Sequence, residues 1–331
     1  MFPDDHVTAR VIADFGADYL VQDDAVPRRA VARHCDPAVG DWVVLEGDSI
    51  TEVLPRRTVF SRRAAGEENR EQVLAANVDV AFVVAAATDV NLRRIERYLT
   101  IAWQSGAVPV VVVTKADLAS FVVPEVAAQV IVTSSLTGEG VSELVATLLP
   151  EKTGVLLGPS GAGKSTLINR IVGDEVMKTR EVHRSGEGRH MTSHRQLIEL
   201  PGGGAIIDTP GLREAQLWQG GAPGTGFARP GASRGEAPLM TGEEALGGVF
   251  EDVEALALRC KFSDCEHRTE PGCAIKTALA DGSLDGERFE SYRKLQRELR
   301  VVAAKSDARL RLEDRKKWKQ IAMASRARTR P

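Results

Sequence analysis

The sequence predicts three parts in chain order: an N-terminal all-β barrel of the OB type, a central α/β domain and a mostly helical C-terminal domain. Three observations carry this. Residues 7–60 read as short strands broken by turn residues, with no long helical period. From about residue 70, near-continuous apolar strands alternate with helical patterns, as in a parallel sheet covered on both faces. A Gly/Pro/Ala-rich stretch at 219–238 then precedes three closely spaced cysteines and a long charged helical pattern. The expected divisions are 1–68 for the barrel, 69–218 for the α/β domain, 219–245 for a linker or insert, and 246–331 for the C-terminal domain.

Bulk properties set few limits. The chain has 331 residues, 43% of them apolar and 27% charged. That length accommodates two or three domains. The net charge of −3 does not itself point to a nucleic-acid partner. The first residues, MFPDDHVTAR, lack an apolar stretch behind a basic head, and no apolar run approaches the ~20 residues of a spanning helix. The expectation is a cytoplasmic protein with no membrane partner.

Each element has a local reason. In the first part the strands are VTARVIADFG, ADYLVQ, RRAVARH, DWVVLEG and SITEVLP, most simply a five-stranded OB-like barrel. Arg56, Arg57, Arg62 and Arg63 follow the last of these. VDVAFVVAAA is a buried strand and LRRIERYLTIAWQSG a helix. VPVVVVTKAD is a second strand, VPEVAAQV a short helical or irregular connection, VIVTSS a third strand and VSELVATLLP a helix. KTGVLLGPSGAGKSTLINRIVG reads as strand, glycine loop and helix, while RQLIELPGG and AIIDTPG form a hairpin leading into a loop.

The glycine loop is the strongest chemical signal. Gly158, Pro159, Ser160, Gly161, Ala162, Gly163, Lys164 and Ser165 fit G-x-x-x-x-G-K-[ST], with Thr166 next. Backbone N–H groups and the helix N-terminus there favour phosphate oxygens. Lys164 is expected to reach the β- and γ-phosphates, and Ser165 to ligate Mg²⁺. Asp208-Thr209-Pro210-Gly211 follows the strand AIID, so Asp208 can hold the Mg²⁺ shell and the Gly211 amide can sense a γ-phosphate. Thr114-Lys115-Ala116-Asp117 ends another strand. A carboxylate at Asp117 accepts two hydrogen bonds from guanine that adenine does not offer, and the Lys115 stem can pack on the base. At the next strand end, the amides of Thr133, Ser134 and Ser135 can meet guanine O6. Both loops lie at carboxyl ends of parallel strands, where ligands bind. The nucleotide is therefore expected to be GTP or GDP.

The order is unusual, because residues 114–117 precede 158–165. Ordinary GTPases carry the phosphate loop first, so this domain is circularly permuted. The D-x-x-G segment then lies just before the C-terminal domain.

Between the phosphate loop and that segment lies Gly188-Arg189-His190-Met191-Thr192-Ser193-His194, the position of a first switch. Thr192 is preferred over Ser193 for completing the Mg²⁺ shell. Leu212 stands where Ras-type enzymes place a water-orienting Gln. His190 is the nearest candidate in sequence for that task; a switch residue without a catalytic role is the equal alternative.

Cys260, Cys265, His267 and Cys273 supply three thiolates and an imidazole, a closed tetrahedral Zn²⁺ set with no position left for a catalytic water. Cys35 stands alone and reads as a small semi-buried thiol. The tail from Lys305 is strongly basic with Trp318 interleaved; an RNA-binding helix and a solvated helix both fit.

Taken together, these residues resemble the circularly permuted GTPases dependent on the small ribosomal subunit, the RsgA or YjeQ family. The resemblance covers nearly the whole chain. It is carried by Cys260-Lys-Phe-Ser-Asp-Cys265-Glu-His267-Arg-Thr-Glu-Pro-Gly-Cys273-Ala, Ser291-Tyr292, Val39-Gly40-Asp41-Trp42 and Gly188-Arg189-His190. The chain departs in carrying Met191-Thr192-Ser193 where a threonine run is usual, and in its 219–238 insert. The resemblance implies a late assembly factor of the small ribosomal subunit. It binds rRNA, has slow GTPase activity stimulated by the subunit, and leaves on hydrolysis. A monomer without a DNA partner is expected. The rival classes are a small-molecule kinase, which has no need of a guanine motif, and a module that holds GTP structurally.

Overall fold

In the computed structural model, residues 7–23, 26–63, 71–173, 195–208 and 240–306 are described. The first-switch segment with His190 and Thr192, the Gly211 loop, the 219–238 insert and the basic tail lie outside these residues. The chain divides into two compact units, one reaching from the N-terminus to residue 216 and the other comprising mainly 242–331.

The first unit begins with five strands: β1 (Val7–Asp14), β2 (Tyr19–Gln22), β3 (Arg28–Ala32), β4 (Trp42–Glu46) and β5 (Ser49–Val53). They pair in the order β1-β2-β3-β5-β4, and β4 returns to β1 to close the barrel. Only β3 and β5 run parallel. Alternate residues Val11, Tyr19, Val21, Val43, Leu45 and Ile50 point inward and form its core.

The sequence reading missed the next two strands. β6 (Val59–Arg63) and β7 (Glu71–Ala76) pair antiparallel as a separate two-stranded sheet. Arg62 and Arg63 therefore belong to a strand, although no apolar alternation marks VFSRR.

The α/β sheet is built from β8 (Val80–Ala86), β9 (Val108–Thr114), β10 (Gln129–Val132), β11 (Thr153–Leu157), β12 (Arg195–Glu199) and β13 (Ala205–Asp208). Its order is β10-β9-β8-β11-β13-β12, parallel except for β12. Helices α1 (Leu92–Ser105), α2 (Val141–Ala146) and α3 (Lys164–Val172) accompany it. Asn91 caps α1 through its side-chain oxygen, and Gly106 ends it in the left-handed conformation. No regular element occupies the connection from Lys115 to Ala128. Phe82, Val84, Val112, Leu148, Leu167 and Ile206 are central to the core.

Barrel and α/β sheet are continuous, because β12 pairs with the end of β1. Val39-Gly40-Asp41-Trp42 lies at this seam. The Ala76 N–H donates to the Val39 carbonyl, and Asn77 Nδ2 to the Gly40 carbonyl, both at 3.0 Å. A Cβ on Gly40 would stand 2.1 Å from the Ala76 oxygen, and its φ is +95°. The fully buried Asp41 carboxylate accepts two bonds from Arg56 and one from the Ala38 N–H.

The second unit contains α4 (Gly242–Val249), α5 (Glu251–Ala257), α6 (Ala274–Asp281) and α7 (Gly286–Ser306). Phe250 meets Tyr292 edge-on at 5.5 Å, and Tyr292 stacks with Phe289 at 6.3 Å. Arg288 lies over Phe250 and forks onto Asp252, both contacts being 2.7 Å.

Candidate functional site

The phosphate loop runs from β11 into α3. Gly158 has φ +145°, and a Cβ there would lie 2.4 Å from the Val84 carbonyl, so the loop can leave the sheet this tightly only with glycine. Gly163 begins α3 in the left-handed conformation. Lys164 is buried, and its ammonium donates to the Gly158 carbonyl at 2.6 Å and the Pro159 carbonyl at 2.5 Å. The amine thus lies inside the loop's curve, where phosphate oxygens would compete for it. Ser160, Gly161, Ser165 and Thr166 are exposed at the loop and first helical turn, while Ala162 is buried beneath.

The Thr114–Asp117 loop is fastened to the glycine loop before α3. Thr114 Oγ1 donates to the Ala162 carbonyl at 2.6 Å, and Lys115 Nζ to the Gly161 carbonyl at 2.8 Å. Two segments some fifty residues apart thereby become one surface. Lys115 has φ +58°, turning the chain sharply after β9. Asp117 is exposed. Its Oδ1 accepts the hydroxyl of fully buried Ser134 at 2.5 Å, which fixes the carboxylate's direction. Ser134 Oγ also accepts the Thr137 N–H at 3.1 Å. Gly140 closes this loop, with no room for a Cβ against the Val132 carbonyl. Ser135 is half-buried beside Ser134.

Asp208 ends β13. It lies one step beyond the Val155–Ile207 pair, level with the strand that feeds the phosphate loop. The start of α3, with Lys164 and Ser165, and the end of β13, with Asp208, thus follow neighbouring strands of one sheet.

In the second unit Cys260, Cys265, His267 and Cys273 place their ligand atoms within 4.8 Å of one another. Cys260 Sγ is 3.9 Å from Cys273 Sγ and 3.6 Å from His267 Nδ1, and Cys273 Sγ is 3.4 Å from that nitrogen. A zinc–sulfur bond of ~2.3 Å gives a tetrahedron edge of about 3.8 Å, slightly shorter with one nitrogen, so this donor set fits Zn²⁺. Burial pushes the His267 imidazole pKa down, which favours the neutral, ligating form.

Glu270's part has no signature in the sequence. Its carboxylate accepts the N–H groups of Arg268, Thr269 and Glu266 and shapes the ligand loop. Backbone hydrogen bonds, its own N–H first and then that of Arg268, hold its pKa down at about 2. The clasp made by Thr114 was likewise not foreseen, since a threonine at a strand end is common.

A sequence profile described as RsgA GTPase matches residues 53–218. The small ribosomal subunit biogenesis GTPase RsgA of Opitutus terrae is 46% identical over 319 residues, covering 89% of this chain and 81% of that protein. The chain belongs to the RsgA GTPase family. The same-named protein of Streptomyces avermitilis is 45% identical over 307 residues, 87% of this chain and 76% of its own. Among solved structures, YjeQ from Thermotoga maritima matches with a TM-score of 0.58 at 23% identity, over 89% of this chain and 98% of that one. YloQ, described as a circularly permuted GTPase, matches with a TM-score of 0.57 at 22% identity, over 91% and 98%. These two likenesses concern the fold alone. For an RsgA family member the permuted order has a plain geometric meaning: the Thr114–Asp117 loop, the Gly158–Ser165 loop and Asp208 converge at one sheet end although the chain visits them in rotated order. The zinc-type cluster belongs to the other unit.

Proposed function

We propose that this chain is a GTP hydrolase of small-ribosomal-subunit biogenesis, which binds the maturing subunit in its GTP form and is released on hydrolysis. The observation that carries the nucleotide assignment is the clasp of Thr114 and Lys115 onto the Ala162 and Gly161 carbonyls. It makes phosphate and guanine recognition a single site. The names of the relatives support the biological setting.

In this reading the backbone N–H groups from Gly158 to Thr166 and the N-terminus of α3 hold the phosphates. Lys164 exchanges its loop carbonyls for β- and γ-phosphate oxygens. Asp117, aimed by Ser134, reads guanine; the Ser134 and Ser135 amides face its O6. Ser165, Asp208 and Thr192 would hold Mg²⁺, which neutralises charge on the phosphates when bound. His190 orients the attacking water, and the Gly211 amide senses the γ-phosphate. The zinc cluster staples a segment too small to hold itself by apolar burial. The barrel and C-terminal domain contact rRNA, and the protein works as a cytoplasmic monomer without a DNA partner. No helix among the described residues is long and apolar enough to cross a membrane.

The test is GTP hydrolysis with purified small subunits, large subunits and neither. Stimulation by small subunits alone is expected, with turnover abolished in Lys164→Ala. Equal rates in all three conditions would refute the ribosomal assignment, and an unchanged Lys164→Ala rate would refute the phosphate-loop assignment.

A further inference from the structure

Three strands lie side by side at the nucleotide end of the sheet, and one of them belongs to the barrel. Ala13 of β1 is opposite Gln196 of β12, and Gln196 is opposite Asp208 of β13. A single cross-strand row therefore leads from the barrel to Asp208. Two ladder steps of ~4.8 Å make the distance about 10 Å.

The first step is short, and side chains lock it. β1 and β12 pair through Ala13–Gln196 and Asp14–Arg195. Arg195 Nη1 donates to Asp14 Oδ2 and to the Val73 carbonyl of β7, both at 3.2 Å. The two side chains are only 15% and 18% exposed. A half-buried pair of this kind is costly to break from one side, because the remaining charge loses its partner without regaining water.

Asp14 also belongs to the turn that follows. Its Oδ1 accepts the Gly16 N–H at 2.8 Å, and the Phe15 N–H donates to the Asp18 carbonyl at 3.0 Å. The two oxygens of one carboxylate thus hold the β1–β2 loop and the α/β sheet. In OB-folds that loop is one of those that contact oligonucleotides. Here it carries Phe15 with the Arg29 guanidinium 4.9 Å over its ring, Arg29 being paired with Asp18 at 2.6 Å, and an aromatic ring is a surface on which bases stack.

We propose that Asp14 and Arg195 are positioning residues for GTP hydrolysis, coupling RNA engagement of the barrel's β1–β2 loop to Asp208 through the Ala13–Gln196–Asp208 row. The inference rests on the proposed ribosome-stimulated GTPase reading and adds to it a route and two residues. Both act through strand register. A turn that shifts at Asp14 moves β12 through the ion pair, and β12 carries Gln196, the cross-strand neighbour of Asp208.

The test is a double-mutant cycle on the full chain with purified small subunits, because spatial continuity alone does not establish coupling. The variants are Asp14→Asn, Arg195→Gln and both together. In each single variant the ratio of stimulated to unstimulated turnover is expected to fall about tenfold, within the usual range of coupling between sites. The double variant should be no worse than either single. Mg²⁺ titration gives a second readout that a merely structural role would not move. Small subunits should lower the half-saturating Mg²⁺ of the wild type and leave that of the single variants unshifted. Should Arg195→Gln fail to fold, Asp14→Asn carries the same test as an isosteric change. Single variants with full stimulation and a normal Mg²⁺ shift, or strictly additive losses in the double variant, would overturn the inference. A wild type that small subunits do not stimulate overturns the functional reading itself.

Discussion

Replacing Asp117 by Asn tests guanine recognition at a single atom pair. Ser134 Oγ engages Asp117 Oδ1 at 2.5 Å, so the carboxylate meets a base in a fixed orientation, with Oδ2 and the remaining capacity of Oδ1 free for N1–H and the exocyclic amino group. A hydrogen bond to a charged group contributes about 1.5–3 kcal/mol. Inosine triphosphate lacks the exocyclic amino group and so loses one such bond. Wild type should therefore prefer GTP over the inosine nucleotide by roughly 10- to 150-fold, at ~1.4 kcal/mol per tenfold. In Asp117→Asn the amide still offers one acceptor but sets an NH₂ donor against a guanine donor, so that preference should collapse to within about threefold, below ~1 kcal/mol. The assay is displacement of a fluorescent GDP analogue by GTP, ITP and ATP, with GTP binding to the phosphate loop as the internal reference. An Asp117→Asn protein that keeps the wild-type ratio of GTP to ITP affinity would refute the assignment of Asp117 to the base.

Three further outcomes are expected. Gly40→Ala should lower stability by more than ~2 kcal/mol in urea unfolding, because its Cβ would meet the Ala76 carbonyl at a positive φ. Gly47→Ala, at φ +59° in open space, should cost only about 1 kcal/mol, and equal losses would remove the steric argument. Metal analysis should find one zinc per chain; stripping it should unfold the ligand loop, since structural zinc binding is worth about 10–16 kcal/mol, as much as a whole domain's stability. A metal-free chain whose ligand loop stays as resistant to proteolysis as that of the zinc-bound protein would refute the staple. His190→Ala should lower subunit-stimulated hydrolysis about 10²-fold, the scale of one proton-handling or positioning group; a normal stimulated rate would exclude that role.

The local chemistry was legible in the sequence because it depends on spacing along the chain. A phosphate loop is eight consecutive residues, and a zinc set is four ligands within fourteen, so neither needs the fold to be recognised. Strand and helix periodicity likewise placed the barrel strands, β8, β9, α1 and the hairpin of β12 and β13. β6 and β7 were missed because VFSRR and EQVLAA have no alternating apolar face; they pair with each other as a separate ribbon. Helices α4 and α5 were missed for a similar reason, being short and rich in Gly, Glu and Ala.

By itself, then, the sequence determined that guanine and phosphate motifs occur in permuted order and that a Cys₃His set follows them. Only the tertiary structure decided what those motifs touch. Thr114 reaches the Ala162 carbonyl across 48 residues, and Arg195 reaches Asp14 across 181. Such pairs leave no trace in local spacing, because the strands that bring these side chains together are joined by backbone hydrogen bonds, which nearly every residue type can make. The pairing of β1 with β12 and of β12 with β13, in the register observed, is what sets Ala13, Gln196 and Asp208 in one row.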